Sequence, residues 1–116
     1  MWSNLAENRH KQAYINPSGK RLDGIHLFSN PMMRSAIIRY SLEESSFIKI
    51  AIYSVSSKAK VKDLLFIPGN PGGRRGENKV FWDGSNDRGT KVPYGQYLCK
   101  FSVENQPTDK TLSITF

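Results

Sequence analysis

The strongest guide to the fold of this chain is Trp82. It ends a short segment whose side chains are expected to alternate between the two faces of a β-strand, and a long turn-rich stretch follows it. Val80 and Trp82 are two residues apart, so on a β-strand they share one face, and the indole is large enough to anchor a core. The residues that follow are rich in Asp, Asn and Gly, which favour turns. Alternation returns over 95–104, where Tyr97, Cys99 and Phe101 share a face. These features predict two strands of a β-sandwich joined by a structured loop.

Short alternating segments separated by turns recur along the rest of the chain. The clearest spans 47–55, where isoleucines at every second position alternate with Lys49, Ala51 and Tyr53, as in a half-buried strand. Further strands are predicted at 25–28, 35–42, 61–67 and 110–116, with a turn at 106–109 before the last one. The pattern predicts an all-β fold, an immunoglobulin/fibronectin-III-like sandwich of about seven antiparallel strands.

The chain has 116 residues, which fits one domain. We predict a poorly structured lead-in or linker over 1–24 and the sandwich domain over 25–116. The predicted structural core contains Ile50, Ile52, Trp82, Tyr97 and Phe101. Tyr97 is expected to place its hydroxyl against the backbone, in the manner of a tyrosine corner. The single cysteine can form no internal disulfide and is predicted to be a buried structural thiol.

The segment around the tryptophan also resembles a known family. Trp82, Asp83, Gly84, Asp87, Gly89, Val92, Pro93, Gly95 and Tyr97 match the pattern of the immunoglobulin-like domain at the C-terminus of the bacterial flagellar hook-capping protein, and of related C-terminal modules of secreted bacterial proteins. Asn30-Pro31 followed by the strand at 36–42 resembles the family's opening, the strand at 47–53 resembles its next strand, and 110–116 resembles its closing strand. The resemblance implies a non-catalytic structural or protein-interaction module of a bacterial envelope, appendage or secreted assembly. The alternative within this class is a C-terminal sorting module of a secreted protein.

The chain is basic, with a net charge of +7 and a pI of about 9.7, which favours anionic neighbours. The candidate anion or partner contacts are Lys58, Lys60, Lys62, Arg74, Arg75 and Lys79. Such a set would suit phosphate groups, so a basic nucleic-acid-binding module is the alternative function from a different class. Lysines on an edge strand also discourage pairing with other sheets, and that structural interpretation is preferred.

No constellation in the sequence indicates catalysis, a cofactor or a metal, and we expect no enzyme activity. The two histidines have no nucleophile at a recognisable spacing, and there is no Cys/His cluster. The Gly-rich segment 68–78 leads into a strand and lacks the ending of a phosphate-binding loop, which favours a flexible connection. Asp83, Asp87 and Gly89 are predicted to order their loop. A calcium site there is the minor alternative, because a closing Glu is missing.

Contact with other protein subunits is expected through a sheet edge or the loops, since a small sandwich fills its interior with side chains. The loop at 83–94 is expected to be ordered and the loop at 68–78 mobile. No apolar run is long enough to cross a membrane. No signal-type segment opens the chain, so a cytoplasmic location is compatible with it; an extracellular or envelope location is expected if the chain belongs to a longer secreted protein.

Overall fold

Seven β-strands form two antiparallel sheets in the computed structural model, which describes residues 21–116. The strands are β1 (Leu22–Asn30), β2 (Ser35–Leu42), β3 (Ile48–Ser54), β4 (Lys60–Phe66), β5 (Gly76–Trp82), β6 (Gln96–Val103) and β7 (Gln106–Thr115). One sheet has the order β1-β2-β5 and the other β4-β3-β6-β7. The all-β sandwich predicted from the sequence is therefore confirmed. Within residues 21–116, no helix could span a membrane.

The position of β4 distinguishes this sandwich from the constant-type immunoglobulin arrangement. In that arrangement the fourth strand extends the sheet that holds strands one, two and five. Here β4 pairs instead with β3, in the other sheet. As a result, β2 is the one strand among residues 21–116 that pairs with β5, which lies at the edge of the three-stranded sheet. Because β1 contacts β7 on one side of the sandwich, the edges of β5 and β4 lie on the opposite side.

The core is built from the alternating inward residues of both sheets. All five residues predicted for it are buried there, with Ile50 and Ile52 on β3 and Trp82 at the end of β5. The indole Nε1 of Trp82 donates to the Ser85 carbonyl at 2.9 Å, and its ring meets the Tyr97 ring edge to face at 5.8 Å. The Tyr97 hydroxyl donates to the Pro93 carbonyl, four residues upstream. Burial, opposed by the nearby Arg34 charge, raises the pKa of this phenol.

The free thiol of Cys99 lies within the same core, on β6 between β3 and β7. Burial raises its pKa to about 12, because the apolar surroundings disfavour the thiolate.

The ends of two strands differ from the sequence-based expectation. Strand β1 begins at Leu22 and runs to Asn30, with a register irregularity between Asp23 and His26. The turn expected at 106–109 is wrong, because these residues lie inside β7. The chain reverses instead at Glu104 and Asn105, both with positive φ (53° and 64°), as a tight hairpin of twisted strands requires.

Pro107 is tolerated in β7 because that strand is the edge of its sheet. Of the predicted lead-in over 1–24, residues 1–20 lie outside the described residues.

Candidate interaction surface

The outer face of the three-stranded sheet carries a row of three apolar side chains, of which two are exposed and the central one is half-buried. Phe28 on β1 is opposite Ile37 on β2, and Ile37 is opposite Phe81 on β5. Phe28 is 56% exposed and Phe81 is 61% exposed. Their neighbours on the inner face, such as Leu27 and Val80, pack in the core or against it. Clustered apolar groups on an outer face are a feature that solvation alone does not explain. We call these three residues the apolar row.

A row of basic residues lies beside the apolar row, two residues before it on β1 and β5 and two residues after it on β2. His26, Arg39 and Lys79 are opposite one another on β1, β2 and β5, and all three are exposed. We call them the basic row. Beyond it, Glu77 accepts from the Ser41 hydroxyl at 2.9 Å and from the Arg39 guanidinium at 3.2 Å. These contacts lower the pKa of Glu77, and the hydrogen bond from the Ser41 hydroxyl has the larger effect.

Two loops border the apolar row at one end of the sandwich. The turn between β1 and β2 exposes Met32 and Met33, and Arg34 follows it in a positive-φ conformation. The Arg34 guanidinium donates to the Val92 carbonyl at 2.9 Å and lies 4.6 Å from the centre of the exposed Tyr94 ring. Arg34 therefore links the β1–β2 turn to the β5–β6 loop beside the apolar row.

The loop between β5 and β6 is ordered by its own polar side chains. Asp83 accepts from the amide and hydroxyl of Ser85, at 2.9 and 2.6 Å, and these bonds lower the pKa of Asp83. Asn86 Oδ1 accepts from the amides of Arg88 and Thr90, and Gly89 supplies a positive φ of 85° between them. Asn86 was not among the residues singled out from the sequence, although its position in an Asn-Asp turn is a recognisable signal.

Asp87 belongs to the same loop, but its hydrogen bonds go to β4. Its amide donates to the Val61 carbonyl at 3.0 Å, and its carboxylate accepts from the Asp63 amide at 3.4 Å. Both partners lie on β4, so the loop covers part of the free edge of that strand. Within residues 21–116, no three His, Cys, Asp or Glu side chains are grouped so as to hold a metal ion.

The basic residues predicted as an anion contact are spread over several elements. Lys58 lies in the β3–β4 turn, Lys60 and Lys62 lie on β4, Arg74 and Arg75 lie in the loop before β5, and Lys79 lies on β5. Lys60 is 2.9 Å from the Asp63 carboxylate, whose hydrogen bond and charge raise the pKa of this lysine.

Lys62 also lies near a carboxylate, 3.9 Å from Asp87. Arg75 lines a shallow depression that Glu43 and Glu44 also line. Two of the six residues, Lys60 and Lys62, are therefore paired with carboxylates.

The Gly-rich loop, expected to be mobile, is anchored at its centre. The buried Asn78 accepts from the amides of Gly72 and Arg74, at 2.8 and 3.3 Å, and donates to the carbonyls of Arg74 and Gly76. The Tyr40 hydroxyl donates to the Gly72 carbonyl at 2.7 Å, and burial raises the pKa of that phenol. Gly72 is packed against the Phe66 ring so closely that any side chain would collide. These contacts argue against the mobility that the glycine content of the loop suggested.

Comparisons with known proteins bear on the fold. One solved structure with a similar fold is that of dimeric latent PorU from Porphyromonas gingivalis, with a TM-score of 0.57 and 22% sequence identity. The similar region covers 84% of this chain and 9% of that chain, so this chain spans a small part of the longer protein's length. At this identity the likeness shows the fold alone. No protein-family model matches the chain, and no curated protein sequence matches it.

Proposed function

We propose that this domain is a non-catalytic protein-interaction module, which presents the outer face of its three-stranded sheet to another protein subunit. The apolar row carries this proposal, because two phenylalanines more than half exposed, on either side of Ile37, gain free energy when a partner covers them. The large side chains of the described core fill the space between the sheets, so recognition belongs on the surface.

We further propose that the module belongs to a longer secreted bacterial protein. Two observations support this: the fold likeness to a segment of the PorU chain, and the sequence resemblance of residues 82–97 to C-terminal modules of secreted proteins. A structural role of the hook-capping type is the finer form of the proposal and rests on the Trp82 to Tyr97 motif alone. A sorting role is the second candidate and rests on the same fold likeness.

Site-specific photo-crosslinking tests the interaction role. A benzophenone amino acid replaces Phe81 in one version of the parent protein and exposed Ser113, on the outer face of the other sheet, in the control. We expect a discrete protein adduct from position 81 in the producing bacterium and none from position 113. Equal labelling at both positions, or none at 81, would contradict the proposal.

Deletion of residues 21–116 from the parent separates the two candidate roles. A sorting module is required for export, so its loss retains the parent inside the cell. An interaction module is required after export, so the deleted parent reaches the medium but loses the position-81 partner.

A further inference from the structure

Within residues 21–116, no backbone group covers the free edge of β5, in contrast to the edge of β4. On β4 the backbone groups of Val61 and Asp63 are bonded by Asp87. On β5, the backbone groups from Glu77 to Phe81 bond only to β2 within the part of the chain that the structure describes. Backbone donors and acceptors therefore point outward from β5 at alternate residues, which is the template that an added strand uses.

Both rows of the outer face end at this open edge. Phe81 is the last residue of the apolar row, and Lys79 is the last residue of the basic row. A strand added beside β5 would place its own outward side chains next to these two residues. Because alternate residues of a strand share a face, the neighbour of Phe81 and the neighbour of Lys79 would be two residues apart in the added segment.

The charges around this edge favour an acidic segment. Glu77 is already bonded to Ser41 and Arg39, whereas no ion pair within residues 21–116 involves Lys79. The chain carries a net charge of +7, so a second copy is repelled at long range and an acidic segment is attracted.

Resting on the proposed interaction role, we infer that an extended acidic segment of another protein adds as a strand to the free edge of β5. An apolar residue of that segment lies beside Phe81, and a carboxylate two residues away lies beside Lys79. The backbone bonds provide attachment, and the alternation of apolar and acidic residues provides the register.

Designed peptides test this inference directly. The probe is a fluorescein-labelled peptide in which every second residue is threonine. The residues between the threonines point outward and are isoleucine, glutamate and lysine, in that order. They are placed to lie beside Phe81, Lys79 and Glu77. It is made in both chain directions, so that either strand polarity is available. The control peptide exchanges the glutamate and the lysine and keeps the composition. We expect fluorescence anisotropy to show that the better direction of the probe binds more tightly than its control by about three- to five-fold, the size of an opposite-charge pair across strands.

A charge reversal in the protein completes the cycle. Lys79→Glu should abolish the preference, because each peptide then meets one opposite charge and one like charge at positions 79 and 77. Lys100→Glu is the matched control, because it makes the same charge change at an exposed site on the outer face of the other sheet. It should leave the ratio of the two affinities unchanged. Thermal unfolding and circular dichroism of both variants verify that the fold is intact.

Peptide N-methylation distinguishes an added strand from contact with the flat face. One series is methylated at odd amides and the other at even amides; only the frame whose methyl groups point away from β5 should bind. Equal binding of both frames, or an equal response of Lys79→Glu and Lys100→Glu, would overturn the inference. So would binding to phosphatidylcholine/phosphatidylglycerol vesicles without peptide binding, or dimerisation at the same concentration.

A crosslink from position 81 together with failed peptide binding would leave the interaction role standing and remove only the strand-addition inference. Absence of both would remove the interaction role as well.

Discussion

Substitution of Asn78 should show how much of the domain's stability depends on one polar side chain. This amide is 3% exposed and makes four hydrogen bonds to the backbone of the Gly-rich loop, three of them between 2.8 and 3.0 Å. Asn78→Ala removes all four and leaves the Gly72 amide without a partner. A net hydrogen bond contributes about 0.5–1.5 kcal/mol, and an orphaned buried donor costs about 1–3 kcal/mol. Three of the four bonds are part-buried, so water replaces part of them, and we expect a loss near the low end of this sum, about 3–4 kcal/mol in the free energy of unfolding.

Urea unfolding followed by tryptophan fluorescence measures this loss. Domains of this size are stable by about 5–15 kcal/mol, so the variant should still fold. With a urea slope of about 2 kcal/mol/M, the midpoint should fall by roughly 1.5–2 M at unchanged slope. Asn70→Ala is the matched control, because Asn70 is exposed in the same loop. A midpoint for Asn78→Ala that coincides with that of Asn70→Ala would refute the reasoning.

Three other perturbations test separate parts of the structure. Trp82→Ala should cost about 3–5 kcal/mol and lower the melting temperature sharply, because a buried indole is lost; unchanged melting would remove the central packing claim. The pKa of Asp83 is lowered, so its contribution to stability is present above its unfolded-state pKa and is lost as pH falls through the lower folded value. Asp83→Asn should accordingly flatten the acid limb of a plot of melting temperature against pH, and an unaltered limb would contradict this. Asp87→Ala should accelerate hydrogen exchange at the Asp63 amide with little change at Ile50, and equal protection of Asp63 in both proteins would show that Asp87 does not cover that edge.

The fold could be predicted because its signals are local and repeated. Trp82 and Tyr97 each stand within an alternating segment, and the residues between them favour turns whatever the rest of the chain does. The error at Pro107 has an equally local origin. A proline among polar residues indicates a turn at 106–109, whereas the two residues just before that segment, Glu104 and Asn105, reverse the chain in positive φ. Only the position of β7 at a sheet edge, which is a tertiary fact, lets the proline join a strand.

The candidate surface could be predicted only in part, because it depends on strand pairing. Phe28, Ile37 and Phe81 each break the alternation of their own strand, and that departure was visible in the sequence. Their arrangement in one row follows from the register of β1 with β2 and of β2 with β5. The anchoring by Asn78 was not predictable in the same way, since its partners become neighbours only when the loop closes over the strand that follows it.

The position of Cys99 makes the domain its own reporter of opening. The thiol is 0% exposed between two paired strands, and its pKa of about 12 leaves almost no thiolate at neutral pH. A thiol reagent can therefore react only with molecules in which β6 has separated from its neighbours. When reclosing is faster than the reaction, the labelling rate divided by that of an unfolded peptide gives the open fraction. The opening of β6 in different variants can thus be compared under native conditions, without denaturant.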